Sequence, residues 1–418
     1  MRDLLIGLCC TLVIWPVLSQ NSTCDGIRYK SPVFAHVQKT TVPYATAVNQ
    51  LGQLITLFMD VYEPQGDTAR RRPVVILAHG GSFVFGNKAD MARWCDLIAK
   101  RGFVAASIQY RLYPIFPLGF PDSLKIMDTA VKAMGDMKAA VRYFREDAAT
   151  LNRFRVDSAH IFVGGYSAGA VIALHTAFVD EKDDIPPFMR TLISNNGGLN
   201  GNSGSPSNQQ YSSSVRAVLN LSGGMYRRSW ISKGEPPMAS IHGTDDATVP
   251  YTTGLAAGLA YLEGSGVLHP QALNVDVWSY LKAIPGGGHT NIYEDTAYAQ
   301  SLAEYWTRAC ALLEHLTCHK GEPGGASASS DADAEKFTWR IFPNPVQHSE
   351  AFVQITDADL ERFFELVLYD LQGREVLRKR LKGSGLHSLN FSELAAGIYL
   401  AWLSDAARRG SVQKILRY

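Results

Sequence analysis

Between Thr41 and Leu316 the chain alternates two periodicities. The runs "PVVILAHGG", "FVAASIQYRL", "HIFVGGYSAG", "AVLNLSGG", "PPMASIHGTDD" and "NVDVWSYLKAIPGGGH" are apolar almost without interruption and end in glycine or polar residues. A strand buried on both faces has no polar side to show, so each predicts an inner strand. An earlier stretch, "QLITLFMDVYEP", alternates apolar and polar residues and predicts an edge hairpin strand. Between these lie "MARWCDLIAKRG", "DMKAAVRYFREDAATL" and "AYAQSLAEYWTRACALLEHL", whose apolar residues recur at helical spacing. Such alternation predicts an α/β fold, a mostly parallel sheet flanked by helices on both faces.

Two stretches break the pattern. "SNNGGLNGNSGSPSNQQYSSS" (194–214) has no periodicity and predicts a loop near the carboxyl edge of the sheet. It reads either as a mobile lid over a site or as a plain surface loop. After His319, "KGEPGGASASSDADAEK" has the small, polar composition of a flexible linker. Beyond it "WRIFPNP", "AFVQIT", "FFELVLYD", "EVLRKRL", "HSLNFSEL", "GIYLAWLS" and "SVQKILRY" predict a small antiparallel, immunoglobulin-like β-sandwich.

Composition narrows the picture. The 418 residues are 46% hydrophobic and 19% charged, as in globular proteins, and the net charge of +1 argues against nucleic acid or an anionic membrane as partner. Arg2 followed by the apolar run Leu4 to Leu18 reads as a signal peptide, with Val17 and Ser19 suiting cleavage after Ser19. No other stretch is apolar and long enough to cross a bilayer, so no transmembrane segment is expected in the mature chain. The partition is then 1–19 signal peptide, 20–318 α/β domain, 319–336 linker and 337–418 sandwich. Cleavage removes Cys9 and Cys10, leaving Cys24, Cys95, Cys310 and Cys318, an even count that permits three pairings. The expected pairs are Cys95 with Cys310 and Cys24 with Cys318, because the helices carrying Cys95 and Cys310 can share one face of the sheet. Cys310, His315, Cys318 and His319 match no common zinc spacing, so neither a metal nor any cofactor is expected.

The candidate chemistry starts in "HIFVGGYSAGAVIALH" (160–175). From Gly164 a dinucleotide fingerprint would need glycine where Tyr166 stands. A P-loop would need lysine where Ala170 follows Gly169. What fits is G-x-S-x-G, Gly165-Tyr166-Ser167-Ala168-Gly169, a tight strand-to-helix turn that exposes a serine hydroxyl. A hydroxyl needs a base to take its proton and a carboxylate to orient that base. "SIHGTDDATVP" supplies Asp245 and Asp246 after a later strand, and "AIPGGGHTNIYED" supplies His289 after the next. Upstream, "LAHGGSFVFGN" forms a loop whose amides can serve as an oxyanion hole, assigned to Gly81, Ser82 and Ala168. His79 is expected to brace that loop. Phe83, Phe85 and Tyr166 are candidates for contact with substrate.

"HGGSF", "YRLYP", "GYSAG", "HGTDDATVP" and "GGGH" together resemble the serine carboxylesterase and lipase branch of the α/β-hydrolase fold, related to hormone-sensitive-lipase-like and feruloyl or acetyl-xylan esterases. The resemblance spans about residues 41–318. It implies carboxylic ester hydrolysis through an acyl-enzyme formed by Ser167, His289 and an acid. The family's D-x-x-V-P context selects Asp246, followed by Val249 and Pro250, over Asp245. Two departures stand out: Ser82 replaces the third glycine of the oxyanion loop, and the chain has no room for an N-terminal helical cap. The same resemblance leaves a polyester depolymerase or a prolyl-oligopeptidase-type peptidase as alternatives. The tail, with "FPNP", "LYDLQGREV", "FSELAAGIYL" and "VQKILRY", resembles a type IX secretion C-terminal sorting domain. That implies export through the periplasm to the medium or outer surface of a gram-negative bacterium, with the secretion machinery as partner and an ester, small or polymer-linked, as substrate.

Overall fold

The computed structural model describes residues 24–319, 338–347, 349–356, 363–370, 375–405 and 410–417. The signal peptide expected over 1–19 and nearly all of the expected linker lie outside these residues.

The first 11 strands and 8 α-helices run β1 (Val37–Val48), β2 (Leu54–Pro64), β3 (Arg72–Ala78), α1 (Ala92–Ala99), β4 (Val104–Ile108), the short turn α2 (Ile115–Leu118), α3 (Ser123–Ala149), β5 (Val156–Tyr166), α4 (Ala168–Phe178), α5 (Pro187–Asn195), β6 (Val218–Leu221), β7 (Gly224–Met225), β8 (Met238–Gly243), β9 (Thr253–Ala256), β10 (Ala260–Gly264), α6 (Ser265–Asn274), β11 (Ser279–Ile284), α7 (Asn291–Glu294) and α8 (Ala299–Cys318). Eight of these strands form one sheet in the order β1-β2-β4-β3-β5-β6-β8-β11. Only β2 runs against the rest, pairing antiparallel with β1 and β4. The inner strands carry apolar residues on both sides because each side has its own core. In β3, Val74, Ile76 and Ala78 join the core under α3 and α4, while Val75 and Leu77 join the one under α1 and α8. The sequence predicts α3 only from Asp136. Its observed start at Ser123 is capped by the Asp122 carboxylate, which accepts from the Lys125 amide.

The 194–214 segment is no free lid. Lys138 Nζ donates to the Leu199 carbonyl at 2.6 Å, and the Arg142 guanidinium donates to the carbonyls of Asn200 and Ser203 at 2.9 and 2.8 Å. Arg111, buried in an ion pair with Asp136, donates to Ser203 Oγ at 2.7 Å. These cations on and beside α3 pin the loop down, and Lys138 and Arg142 would otherwise stand buried without an acceptor.

The tail forms two sheets, β12 (Thr338–Phe342), β13 (Glu350–Thr356) and β16 (Gly385–Asn390) in one, β14 (Phe363–Asp370), β15 (Glu375–Lys382), β17 (Gly397–Asp405) and β18 (Gly410–Arg417) in the other. Alternate residues such as Val353, Ile355, Phe364, Leu366 and Leu403 fill the core between them, the expected small β-sandwich.

Cys24 and Cys318 form a disulfide, with Cα atoms 5.5 Å apart. The expected Cys95–Cys310 bridge is absent, and both residues are buried free thiols. The helices do share a face, as α1 and α8 enclose one core. There, however, the thiols pack as small apolar groups, and burial pushes Cys95 well up and Cys310 up to about 11. Cys318, oxidised onto Cys24, is not available as a thiolate ligand for a metal.

Candidate active site

Register places the site residues before any contact is counted. Ala78 is the partner of Gly165 across β3 and β5, so the loop after β3 and the turn after β5 emerge side by side. Gly243 pairs with Ile284 across β8 and β11, which does the same for the Asp246 and His289 loops. All four open at the carboxyl edge of the sheet, where the strand order of an α/β sheet leaves a crevice.

Ser167 sits at φ 55°, ψ −119°, a strained conformation for a residue with a side chain. The turn is held by close approach. A Cβ on Gly165 would meet the Gly169 carbonyl carbon at 2.4 Å, and one on Gly169 would meet the Ala78 oxygen at 2.0 Å. His289 Nε2 lies 2.8 Å from Ser167 Oγ, and its Nδ1 lies 2.7 Å from Asp246 Oδ2. Asp246 is buried, and its Oδ1 accepts from the Thr248 and Val249 amides, both at 2.8 Å. Burial opposes its charge, but hydrogen bonds from His242 and His289 outweigh that and hold the carboxyl well below the usual range. Asp245 is exposed and turned to Thr244 Oγ1.

The loop after β3, expected to form an oxyanion hole, is also strained, with Gly81 at φ 110°, Ser82 at 52° and Phe83 at 64°. A Cβ on Gly81 would meet the Phe85 oxygen at 2.3 Å. The amides of Gly81 and Ser82 donate to no group among the described residues. The Ala168 amide opens α4, where no earlier helical carbonyl can accept it. His79 stacks on Tyr110, its Nδ1 2.7 Å from the Gly80 carbonyl, while the Tyr110 hydroxyl donates to the His79 carbonyl.

A cavity of about 110 Å³ opens beside Ser167. Ala168, Val171, Ile172 and His175 line it at helical spacing, so it runs along α4, roughly 10 Å from Ala168 to His175. Facing them are Ile126, Ala130 and Met134 of α3, Met189 and Ile193 of α5, Ala256 of β9, Leu262 of β10 and Leu259 in the turn between those strands. His175 meets the Val171 carbonyl through Nδ1 at 2.8 Å and accepts from the Tyr226 amide through Nε2 at 3.2 Å. Both nitrogens are occupied, so the ring lines the cavity as a neutral group.

Of the three expected substrate contacts, Phe83 lines this cavity and Tyr166 and Phe85 do not. Tyr166 stacks on the His289 ring at 5.2 Å, and its hydroxyl donates to the His289 carbonyl. Phe85 is exposed. No residue of 194–214 lines the cavity; its far wall is α5 and the small sheet β7-β10-β9, elements that sequence reading missed. The only available signal was the Gly- and Ala-rich "TGLAAGLAYLEG" (253–264), whose periodicity is too weak to separate strand from loop.

Residues 59–226 match the family described as BD-FAE, and residues 340–417 match the Secretion system C-terminal sorting domain. The chain has an α/β-hydrolase fold with a BD-FAE region and a secretion sorting tail. That tail marks the hydrolase for secretion or the outer surface, and among the described residues no helix is long and apolar enough to cross a membrane. Parts of two curated proteins are similar to it: non-reducing polyketide synthase Preu3 of Preussia isomera, 33% identical over 32% of this chain and 5% of its own, and non-reducing polyketide synthase ascC of Acremonium egyptiacum, 26% identical over 35% and 7%. The hydrolase thus spans only a small fraction of the curated relatives it matches. Among solved structures it is similar to Thermogutta terrifontis esterase 2, at 20% identity, 68% of this chain and 96% of that one. The TM-score is 0.48 with propionate bound and 0.49 for the form phosphorylated by paraoxon.

Proposed function

We propose that the hydrolase cleaves carboxylic esters through Ser167, His289 and Asp246. The observation that carries this reading is the His289 ring, within hydrogen-bond reach of Ser167 Oγ at one nitrogen and of Asp246 at the other. Ser167 Oγ attacks the ester carbonyl as His289 Nε2 takes its proton, and Asp246 steadies the imidazolium. The oxyanion that forms is received by the amides of Gly81, Ser82 and Ala168. The tetrahedral intermediate expels the alcohol, which leaves with the proton from His289. A water, deprotonated by the same imidazole, then releases the acid from the acyl-enzyme. The cavity along α4 suits an apolar acyl group, since its walls offer almost nothing to hydrogen-bond. The sorting tail supports action outside the cell, in the setting of a gram-negative bacterium.

Ser167→Ala is expected to lower kcat on p-nitrophenyl butyrate by several orders of magnitude without unfolding the chain, and to abolish labelling by a fluorophosphonate. Retained labelling or turnover in that variant overturns the assignment.

A further inference from the structure

The proposed steps leave a second buried histidine unused. His242 lies at the end of β8, four residues before Asp246, and is fully buried. Its Nε2 is 3.2 Å from Asp246 Oδ2, the oxygen that also meets His289, and 3.0 Å from the Val249 carbonyl. A carbonyl can only accept, so Nε2 carries a proton. On the other side Nδ1 lies 2.8 Å from Ser265 Oγ, and that oxygen accepts from Asn220 Nδ2 at 3.0 Å. Ser265 Oγ keeps a proton that it can direct at Nδ1, an arrangement that fits the Nε2–H tautomer of His242. The second Asn220 N–H reaches Ser240 Oγ at 3.0 Å, and Asn220 Oδ1 accepts from the Gly223 amide at 2.9 Å. Every member of this chain beyond Asp246 has its polar atoms paired, and none is exposed. Its far end rests on the nucleophile helix: a Cβ on Gly223 would lie 2.4 Å from the Ala170 Cβ.

A buried polar chain of this kind is no more stabilising than apolar packing of the same volume, so stability alone does not explain it. What it supplies is direction, because each donor admits one orientation of the next group.

We propose that His242 is a positioning residue. Its Nε2–H fixes the Asp246 carboxylate and, by sharing Oδ2, restrains the hold of Asp246 on the His289 proton. This rests on the Ser167–His289–Asp246 reading above. Without the His242 donor, Oδ2 serves His289 alone, and the imidazolium is held more tightly. The ionisable groups facing this cluster are few. Tyr251 meets the His242 ring edge-on at 5.6 Å, Tyr166 stacks on His289, and Tyr293 lies against Tyr166, with Arg93 and Glu294 beyond it. Burial pushes all three tyrosines upward, out of the assay range, and Asp245 faces solvent.

The test uses the full chain and p-nitrophenyl butyrate. His242→Leu is expected to lower kcat about tenfold with KM unchanged and to move the acid limb of kcat/KM up by about half a pH unit. His242→Gln keeps an N–H toward Asp246 and an oxygen toward Ser265, and is expected to recover most of both effects. Should His242→Leu not fold, Ser265→Ala is expected to shift the acid limb in the same direction by a smaller amount. An unmoved acid limb in these variants, or equal losses in the Leu and Gln forms, overturns the proposal. An inactive Ser167→Ala beside an unperturbed His242→Leu removes the positioning role and leaves the esterase reading standing; an active Ser167→Ala removes both.

Discussion

Replacing Asp246 with Asn exchanges one oxygen for an amide nitrogen at nearly constant volume. The native carboxylate accepts three hydrogen bonds, two at Oδ1 from the Thr248 and Val249 amides and one at Oδ2 from His289, and His242 Nε2, whose proton also faces the Val249 carbonyl, lies 3.2 Å from Oδ2. Asn has only one accepting oxygen. If that oxygen keeps the two amides, its NH2 confronts two imidazole N–H groups. His289 must then shift its proton from Nδ1 to Nε2, where it can no longer take the Ser167 proton. A triad base locked in the wrong tautomer loses about 10⁴ in kcat, roughly 5 kcal/mol in the barrier. If the carboxamide flips, it breaks two bonds at 2.8 Å instead, each worth about 1.5–3 kcal/mol to a charged acceptor. Either way the variant folds less stably and turns over slowly. The assay is kcat and KM for p-nitrophenyl butyrate, with thermal melts alongside. Asp245→Asn, at an exposed carboxylate, is the control and should stay within about twofold of the parent. Asp246→Asn within tenfold of the parent kcat, or Asp245→Asn as the more damaging change, would refute the reasoning.

Two further outcomes follow from burial and topology. The Cys24–Cys318 bridge has a sequence separation of 294 and, on the chain-entropy model, contributes up to about 6 kcal/mol. Cys24→Ser should therefore lower the urea midpoint, while alkylation of the non-reduced, denatured protein expressed from residue 20 should mark Cys95 and Cys310 but neither Cys24 nor Cys318. Burial lowers the His175 proton affinity to about 4 from an ordinary 6.5, so between those pH values the folded chain holds fewer protons than the unfolded one. Its contribution to stability is lost as pH falls through that window, by at most about 3 kcal/mol. Urea midpoints of the parent and of His175→Gln should converge between pH 7 and 4; a constant gap would count against the buried neutral ring.

Much of the site was legible because its determinants are local. Gly165 and Gly169 lie two residues either side of Ser167, and their need for a bare Cα is set within one turn, so the motif carries its own geometry. The order serine, acid, histidine was readable because each follows a strand whose apolar run marks where it ends, whereas Asp246 over Asp245 rested on the D-x-x-V-P context of the family the chain resembles. The sheet was legible for the same reason: a strand covered on both faces cannot disguise its pattern. The long first half of α3 was missed because "SLKIMDTAVKAMG" mixes polar and apolar residues, some of its apolar ones facing the cavity rather than a continuous core.

What the sequence by itself determined is therefore the class of fold, the tight turn at Ser167 and the succession of chemical groups along the sheet edge, since these depend on neighbours and on strand ends. The tertiary structure decided the rest. Cys95 and Cys310 sit on one face yet remain thiols, a matter of side-chain packing that spacing does not encode. The cavity beside Ser167 is walled by α3, α5 and β9–β10, and the 194–214 loop is tied elsewhere by cations from distant positions. His242 stands in a quoted motif, but its meaning comes from Ser265 and Asn220, brought beneath Asp246 only when β6, β8 and α6 pack. Hydrogen bonds between residues far apart in the chain leave no periodic trace in it, because their partners are chosen by the fold.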